Sequence, residues 1–271
     1  QAEGHIVYLI NAEGQSEVEL EEAFFQTLSL PWGLQVKGGY SLTEYGRINP
    51  RHPHAWEWLD QPVINSRLFG PDGMRSPGLR LAWLTPLPVY TQLTAGVQNA
   101  NGETMASFDN PGNGGFGIGG RPVTDQQVRS FADLVYLLRL ESGFDAGNSF
   151  SVKPGASFLT GPNSTGSDTT TYIAGGDLVV KWRPPDAHQG WPFVIWQSEF
   201  SYRRFEAAPF TSEGTSFSGS ILEDWGLYTQ VLWGFHWRWA AGLRYEYAAG
   251  SGSSFDSEAN ALVGRAEDPL G

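Results

Sequence analysis

The chain has 271 residues, a formal net charge of −12 and no cysteine. Disulfides, thiolate metal sites and a cysteine nucleophile are therefore excluded, and the acidic balance argues against nucleic acid as a partner. Aromatic residues are 14% of the chain, with 11 Trp, while charged residues are only 17%, a bias suited to strands with an aromatic-rich apolar surface, and no apolar run approaches the roughly 20 residues of a transmembrane helix.

In chain order, an acidic and aromatic stretch at 17–28 runs into a short Pro-containing link at 29–32, and the next strand ends in a long polar link at 42–76. A short link at 85–88 precedes a long one at 99–127. The latter carries GGFGIGG (114–120), which follows Asn-Pro-Gly-Asn and opens no helix, so an outside loop is expected there rather than a phosphate cradle. A short link at 141–148 and a long one at 160–170 come next. The clearest period-2 pattern spans 171–183. Tyr172, Ala174, Gly176, Leu178, Val180 and Trp182 share one face, and Gly175, Asp177, Val179, Lys181 and Arg183 the other. After a short link at 183–191, Val194, Trp196, Phe200 and Tyr202 alternate with Gln197, Glu199, Ser201 and Arg203. A long link at 206–220 leads to Trp225, Leu227, Val231 and Trp233, which alternate with Asp224, Gly226, Tyr228 and Gln230. A tight turn is expected at Gly234 and Phe235, then a strand from Trp237 to Tyr247, then a long link at 249–256.

Alternation alone also fits a soluble sandwich. Here the apolar face carries Trp or Tyr near the strand ends, the opposite face holds Gly, Ser and charges of both signs, and short and long links alternate. Those features together predict an all-β fold: a transmembrane antiparallel up-and-down β-barrel with short turns at one end and long loops at the other. About 11 strands are visible, so about 12 or more are expected in an even-numbered barrel. The chain reads as a single outer-membrane domain over 1–271 with a long loop at 46–76. It opens at Gln1 without Met or a basic leader, as after removal of a signal, and it begins and ends close to strand-like sequence, so a piece of a longer protein is expected.

The segment 46–76, GRINPRHPHAWEWLDQPVINSRLFGPDGMRS, is long for a loop. Arg47, Arg51, Trp56, Trp58, Asp60 and Arg67 are its candidates for lining a constriction, if it folds into the lumen; otherwise it packs on the barrel rim by its own Trp residues. His52 and His54 form an H-x-H pair that could hold a metal, with Glu57 or Asp60 as a third ligand. The expected lumen face opposes Glu17, Glu19, Glu21, Asp133, Asp177, Glu199, Asp224 and Glu246 with Lys37, Arg80, Arg129, Arg139, Lys153, Lys181, Arg203, Arg238 and Arg244. Such a mixture suits a cross-strand ion-pair lattice rather than a single-sign selectivity ladder. No G-x-S-x-G occurs and the five histidines are scattered, so no enzymatic activity is expected.

Three segments carry a resemblance: VELEEAFFQTLSLPWGLQVKGGY, INPRHPHAWEWLDQPVINSRLFG and GLRLAWLTPLPVYTQLTAGV. They resemble a porin-like family of proteobacterial outer-membrane proteins labelled zinc-regulated TonB-dependent outer-membrane receptors. The matching positions are Glu21, Glu22, Phe24, Gln26, Asn49, His52, His54, Trp56, Asp60, Pro62, Trp83, Leu84 and Pro86. The resemblance implies a porin-like barrel in the cell outer membrane, surrounded by its lipid bilayer, with zinc-linked uptake at His52 and His54. The resulting expectation is a channel or receptor passing small solutes or ions. A zinc-linked uptake receptor is one alternative. Another is a structural or assembly barrel within a larger cell-envelope complex, working through envelope-protein partners.

Overall fold

The computed structural model describes residues 2–10, 16–28, 30–110, 116–124 and 126–264, with side chains from Leu20 onward. In chain order the strands are β1 (Ala2–Ile10), β2 (Ser16–Gln26), β3 (Leu34–Leu42), β4 (Arg75–Leu84), β5 (Tyr90–Asn99), β6 (Leu134–Ala146), β7 (Phe150–Pro162), β8 (Thr170–Trp182) and β9 (Phe193–Ala207). They continue with β10 (Phe210–Ser212), β11 (Thr215–Phe217), β12 (Ser220–His236), β13 (Trp239–Ser251), β14 (Ser253–Asp256) and β15 (Ala261–Gly264). β10–β11 and β14–β15 are separate hairpins; the other eleven form one antiparallel sheet in which each strand pairs with the next. One α-helix, α1 (Val63–Phe69), lies in the link between β3 and β4. No helix among the described residues is long and apolar enough to cross a membrane.

The all-β, up-and-down reading holds, but the expected closed barrel of about 12 or more strands is corrected to an open sheet of eleven, with β1 and β13 at its edges. In an up-and-down sheet of eleven strands the first and last run the same way, so the antiparallel ladder that forms every other seam cannot join them.

Two local expectations also change. The last hairpin does not turn at Gly234: β12 runs on to His236, with a ladder irregularity between Gly234 and His236. The reversal falls at Trp237 and Arg238, where Arg238 takes φ 63° without being Gly. The links expected at 141–148 and 249–256 are largely strand, because β6 continues to Ala146, β13 to Ser251, and β14–β15 form a hairpin immediately after.

Alternation sorts the side chains into two faces of opposite character. On β6, Val135, Leu137 and Arg139 are buried while Tyr136, Leu138 and Leu140 are exposed. On β9, Gln197, Glu199, Ser201 and Arg203 are buried while Trp196 and Phe200 are exposed. The inner face, polar and charged, is the buried one. It is covered by the links β3–β4 and β5–β6, which bring Tyr45, Ile64, Leu68, Phe69, Met74, Met105 and Phe108 against Val135, Leu137, Leu159, Ile173 and Ala248 in one apolar cluster. Each such side chain contributes about 1.5–3 kcal/mol by leaving water.

Candidate functional site

The link β3–β4 folds across the inner face instead of standing at its rim. Asn49 clasps its two ends: Nδ2 donates to the carbonyls of Thr43 (2.7 Å) and Met74 (3.2 Å), and Oδ1 accepts from the Met74 N–H (2.8 Å). The Met74 N–H is thereby paired, while both carbonyls also accept backbone N–H groups, from Tyr45 and Thr43.

From that clasp, Tyr45, Gly46 and Arg47 reach the middle of the sheet. Tyr45 donates to Ser201 Oγ on β9 (3.1 Å), and the Gly46 N–H donates to Ser157 Oγ on β7 (3.2 Å). Burial holds the Tyr45 hydroxyl well above the usual phenol range, so it remains a neutral donor. The Arg47 N–H donates to Glu199 Oε2 (2.8 Å), its Nη1 to Glu141 Oε2 (2.6 Å) and its Nε to Asp177 Oδ1 (2.5 Å). Arg139 binds the other Asp177 oxygen (2.6 Å) and also Ser157 Oγ (2.6 Å). Two guanidiniums thus pair with Glu141 on β6 and Asp177 on β8, as buried charge requires, while Glu199 on β9 accepts from neutral N–H donors.

Glycine makes this approach possible. Gly46 has φ 61°, and a Cβ there would lie 2.2 Å from a Glu199 oxygen. A Cβ on Gly175 would lie 2.2 Å from the Tyr45 hydroxyl, and one on Gly226 would lie 2.9 Å from Ile64 Cβ. The Gly-rich inner face, expected to border water, instead makes room for the link.

Helix α1 continues the contact. Asn65 Nδ2 donates to Glu199 Oε1 (3.3 Å), and Arg67 Nη2 to Asp224 Oδ1 (3.0 Å). Asp224 also pairs with Arg203, whose Nη1 donates to Ser107 Oγ (2.8 Å) in the second long link. Ser107 in turn donates to the Leu68 carbonyl (2.5 Å), tying the two links together. At the β13 edge, Arg244 pairs with Asp60 (2.8 Å) and lies 5.3 Å from the Trp58 ring, while Glu246 accepts from the Val63 N–H (2.8 Å).

The other end of the link meets β2. There the pairing passes from His5–Glu22 to Ile6–Leu20, leaving Glu21 as an extra residue. The bulge lets two consecutive carboxylates reach one imidazole: His52 Nδ1 lies 3.1 Å from Glu21 Oε2, and Nε2 2.7 Å from Glu22 Oε2. His54 stacks on His52 with ring centroids 5.5 Å apart. The suggested third metal ligands are engaged elsewhere, Glu57 with Arg51 (3.0 Å) and Asp60 with Arg244. Among the described residues no group of three or more His, Asp or Glu is arranged to hold a metal.

Of the constriction candidates, Arg47, Trp58, Asp60 and Arg67 are brought onto the inner face. The Trp56 indole donates to the Arg51 carbonyl (3.1 Å) within the link itself, while Arg51 borders the gap between link and wall. A cavity of about 190 Å³ remains between link and wall, lined by Glu44, Arg47, Arg51, Gln92, Arg139 and Glu141 among others. Three expected lumen charges lie elsewhere. Asp133 accepts from the Arg129 and Ser130 N–H groups in a capping box before β6, hydrogen bonds that hold its carboxyl below the usual range. Arg129 is exposed beside it, and Arg238 covers the Trp237 ring in the β12–β13 turn. The side chains of Glu17 and Glu19, and Gly114 and Gly115 of the Gly-rich run, lie outside the described residues. Sequence reasoning missed Tyr45, Asn49, Asn65 and Ser107. The available signal was the spacing of Ile64, Leu68 and Phe69, one apolar helix face inside a nominally polar loop.

A protein of Aquifex aeolicus (strain VF5), itself described as uncharacterized, is 32% identical over 239 residues, covering 83% of this chain and 47% of that relative. The chain therefore spans about half the length of the relative it matches. No family model matches the chain, and no solved structure matches it significantly.

Proposed function

We propose that the chain forms wall and constriction of a porin-like outer-membrane barrel that passes small solutes or ions, with the β3–β4 link narrowing the way through. The observation that carries this is the inverted polarity of the two faces. Leu138, Leu140, Val231 and Leu243 on the outer face are exposed, whereas Asp177, Glu199, Arg203 and Asp224 on the inner face are buried. Water-facing strands would reverse that arrangement.

The vertical dimension supports the same reading. On β12 the outer positions run from exposed Trp225 through Val231 and Trp233 to Phe235. Ten residues extend about 34 Å along a strand, or roughly 26 Å of height at a tilt near 40°, against an apolar band of about 25 Å in such barrels. Exposed Trp83, Tyr90, Phe144, Phe150, Trp233 and Trp239 gather at the short-link end, as an interfacial girdle would.

Single-channel recording from the full-length protein in planar bilayers tests the reading. Small conductance steps are expected, growing when residues 47–66 are replaced by a short Gly-Ser linker. Silence from both forms would sink the channel and favour the assembly barrel, since the buried ion pairs and apolar cluster under the link also suit a wall that is permanently filled.

A further inference from the structure

Arg121 contrasts with three arginines of the inner face. Arg47, Arg139 and Arg203 each meet a carboxylate. Arg121 is fully buried and has no carboxylate partner among the described residues. Its Nη2 donates to Ser220 Oγ, to Ser253 Oγ (2.9 Å) and to the Ser253 carbonyl (3.0 Å), all neutral acceptors. Among the described residues, its buried Nε and Nη1 have no hydrogen-bond partner.

The surroundings are built and tight. Arg121 follows the short helix η3 (Ile118–Gly120) in the β5–β6 link, and a Cβ on Gly120 would lie 2.1 Å from the Phe255 carbonyl on β14. The guanidinium carbon is 5.7 Å from the Phe210 ring. Phe210 packs on Phe217 (4.8 Å) and Phe255 (4.8 Å), and Phe255 on Phe116 (6.1 Å). Four chain segments thus place an aromatic cluster beside a cation that meets no carboxylate among the described residues. A buried charge with unused donors is costly unless an anion satisfies it.

We propose that Arg121, with Ser220 and Ser253, forms a site for a small oxyanion at the end of the sheet that carries the long links. Nε and Nη1 supply charge-assisted donors, and the two hydroxyls can turn to donate as well. The neighbouring phenyl rings keep water away and strengthen those bonds. Burial already lowers the guanidinium pKa, a shift that a bound anion would oppose. The site is separate from the β3–β4 constriction and does not depend on a channel. The same chemistry fits inorganic phosphate and the phosphate of a lipid headgroup.

The test uses full-length protein as wild type, Arg121→Gln and Ser220→Ala/Ser253→Ala. One arm titrates inorganic phosphate in detergent; the other compares phosphatidylcholine nanodiscs with and without phosphatidic acid. Melting temperature and affinity are read in both. The wild type is expected to be stabilised in at least one arm, with affinity reduced at least about tenfold in Arg121→Gln and less in the serine pair. The serine pair keeps the cation, so it decides the matter if Arg121→Gln does not fold. Stabilisation by inorganic phosphate assigns a soluble anion, and stabilisation by phosphatidic acid alone assigns a headgroup. No response in either arm, or one undiminished in the folded variants, overturns the site.

Discussion

The two faces of strand β9 differ only by one step in the chain, yet their side chains live in opposite environments. Trp196 and Phe200 are 42% and 45% exposed, while Glu199 and Arg203 between and beyond them are 2% exposed. Alternation of this kind is common to all half-buried strands and does not say which face is covered. Here cover comes from the β3–β4 link, whose contacts run from Glu21 and Glu22 on β2 to Arg244 and Glu246 on β13. The inner face is polar because its partner is a chain segment rich in donors and charges. The outer face is apolar and has no partner among the described residues.

The largest expected effect falls on the inner face. Asp224→Ala removes the buried carboxylate that pairs with both Arg203 and Arg67. Removing one member of a buried pair costs about 3–5 kcal/mol. Denaturant unfolding of the full-length protein in lipid vesicles should show that loss; a change near zero would mean that water reaches this face and that the contrast between faces is false.

The outer face offers the complementary break. Val231→Arg places a charge midway along the exposed apolar band of β12, and in a bilayer such a substitution costs about 2–4 kcal/mol. In water the same exposed change would stay within about 0.5 kcal/mol. Equal stabilities of wild type and variant in vesicles would therefore remove the lipid-facing reading while leaving the inner network untouched.

Gly175→Ala comes next, because its Cβ would press on the Tyr45 hydroxyl from the wall side. Overpacking of this kind costs about 1–3 kcal/mol. Its sharper readout is protease cleavage within 43–74, which should rise as the link is pushed from the sheet. Unchanged cleavage would show that the link does not depend on the glycine gap.

The outline of this architecture was legible in the chain, and the cover was not. Alternation over 171–183 and 194–203 places every side chain on the face it occupies, because a strand has a strict period of two. The order of short and long links gave the up-and-down path. Glycines at 46, 175 and 226 were legible only as space, since a missing side chain does not announce what fills the gap. The Gly234 turn failed because Gly looks like the natural reversal point, whereas Arg238 adopts the positive φ under the hold of its Trp237 contact. Asp133 read as a wall charge because the capping box that uses it depends on Ser130 and on where β6 begins. His52 and His54 stack on one another, but two carboxylates supplied by a bulge, invisible to any spacing rule, occupy the first imidazole.

The smallest expected effect marks the boundary between the two environments. Arg51 and Glu57 form an ion pair within the same link as Arg47, at 3.0 Å, but their side chains are 37% and 32% exposed. Water screens such a pair and competes for both partners, so Arg51→Ala should cost no more than about 1 kcal/mol. The Arg47 pair with Asp177 is similar chemistry only four residues earlier in the chain, with side chains 10% and 1% exposed. Double-mutant cycles on Arg51–Glu57 and on Arg47–Asp177 compare the two couplings directly. A coupling at Arg51 as large as that at Arg47 would mean that the pairing of residue types, rather than burial under the link, sets the strength of this network.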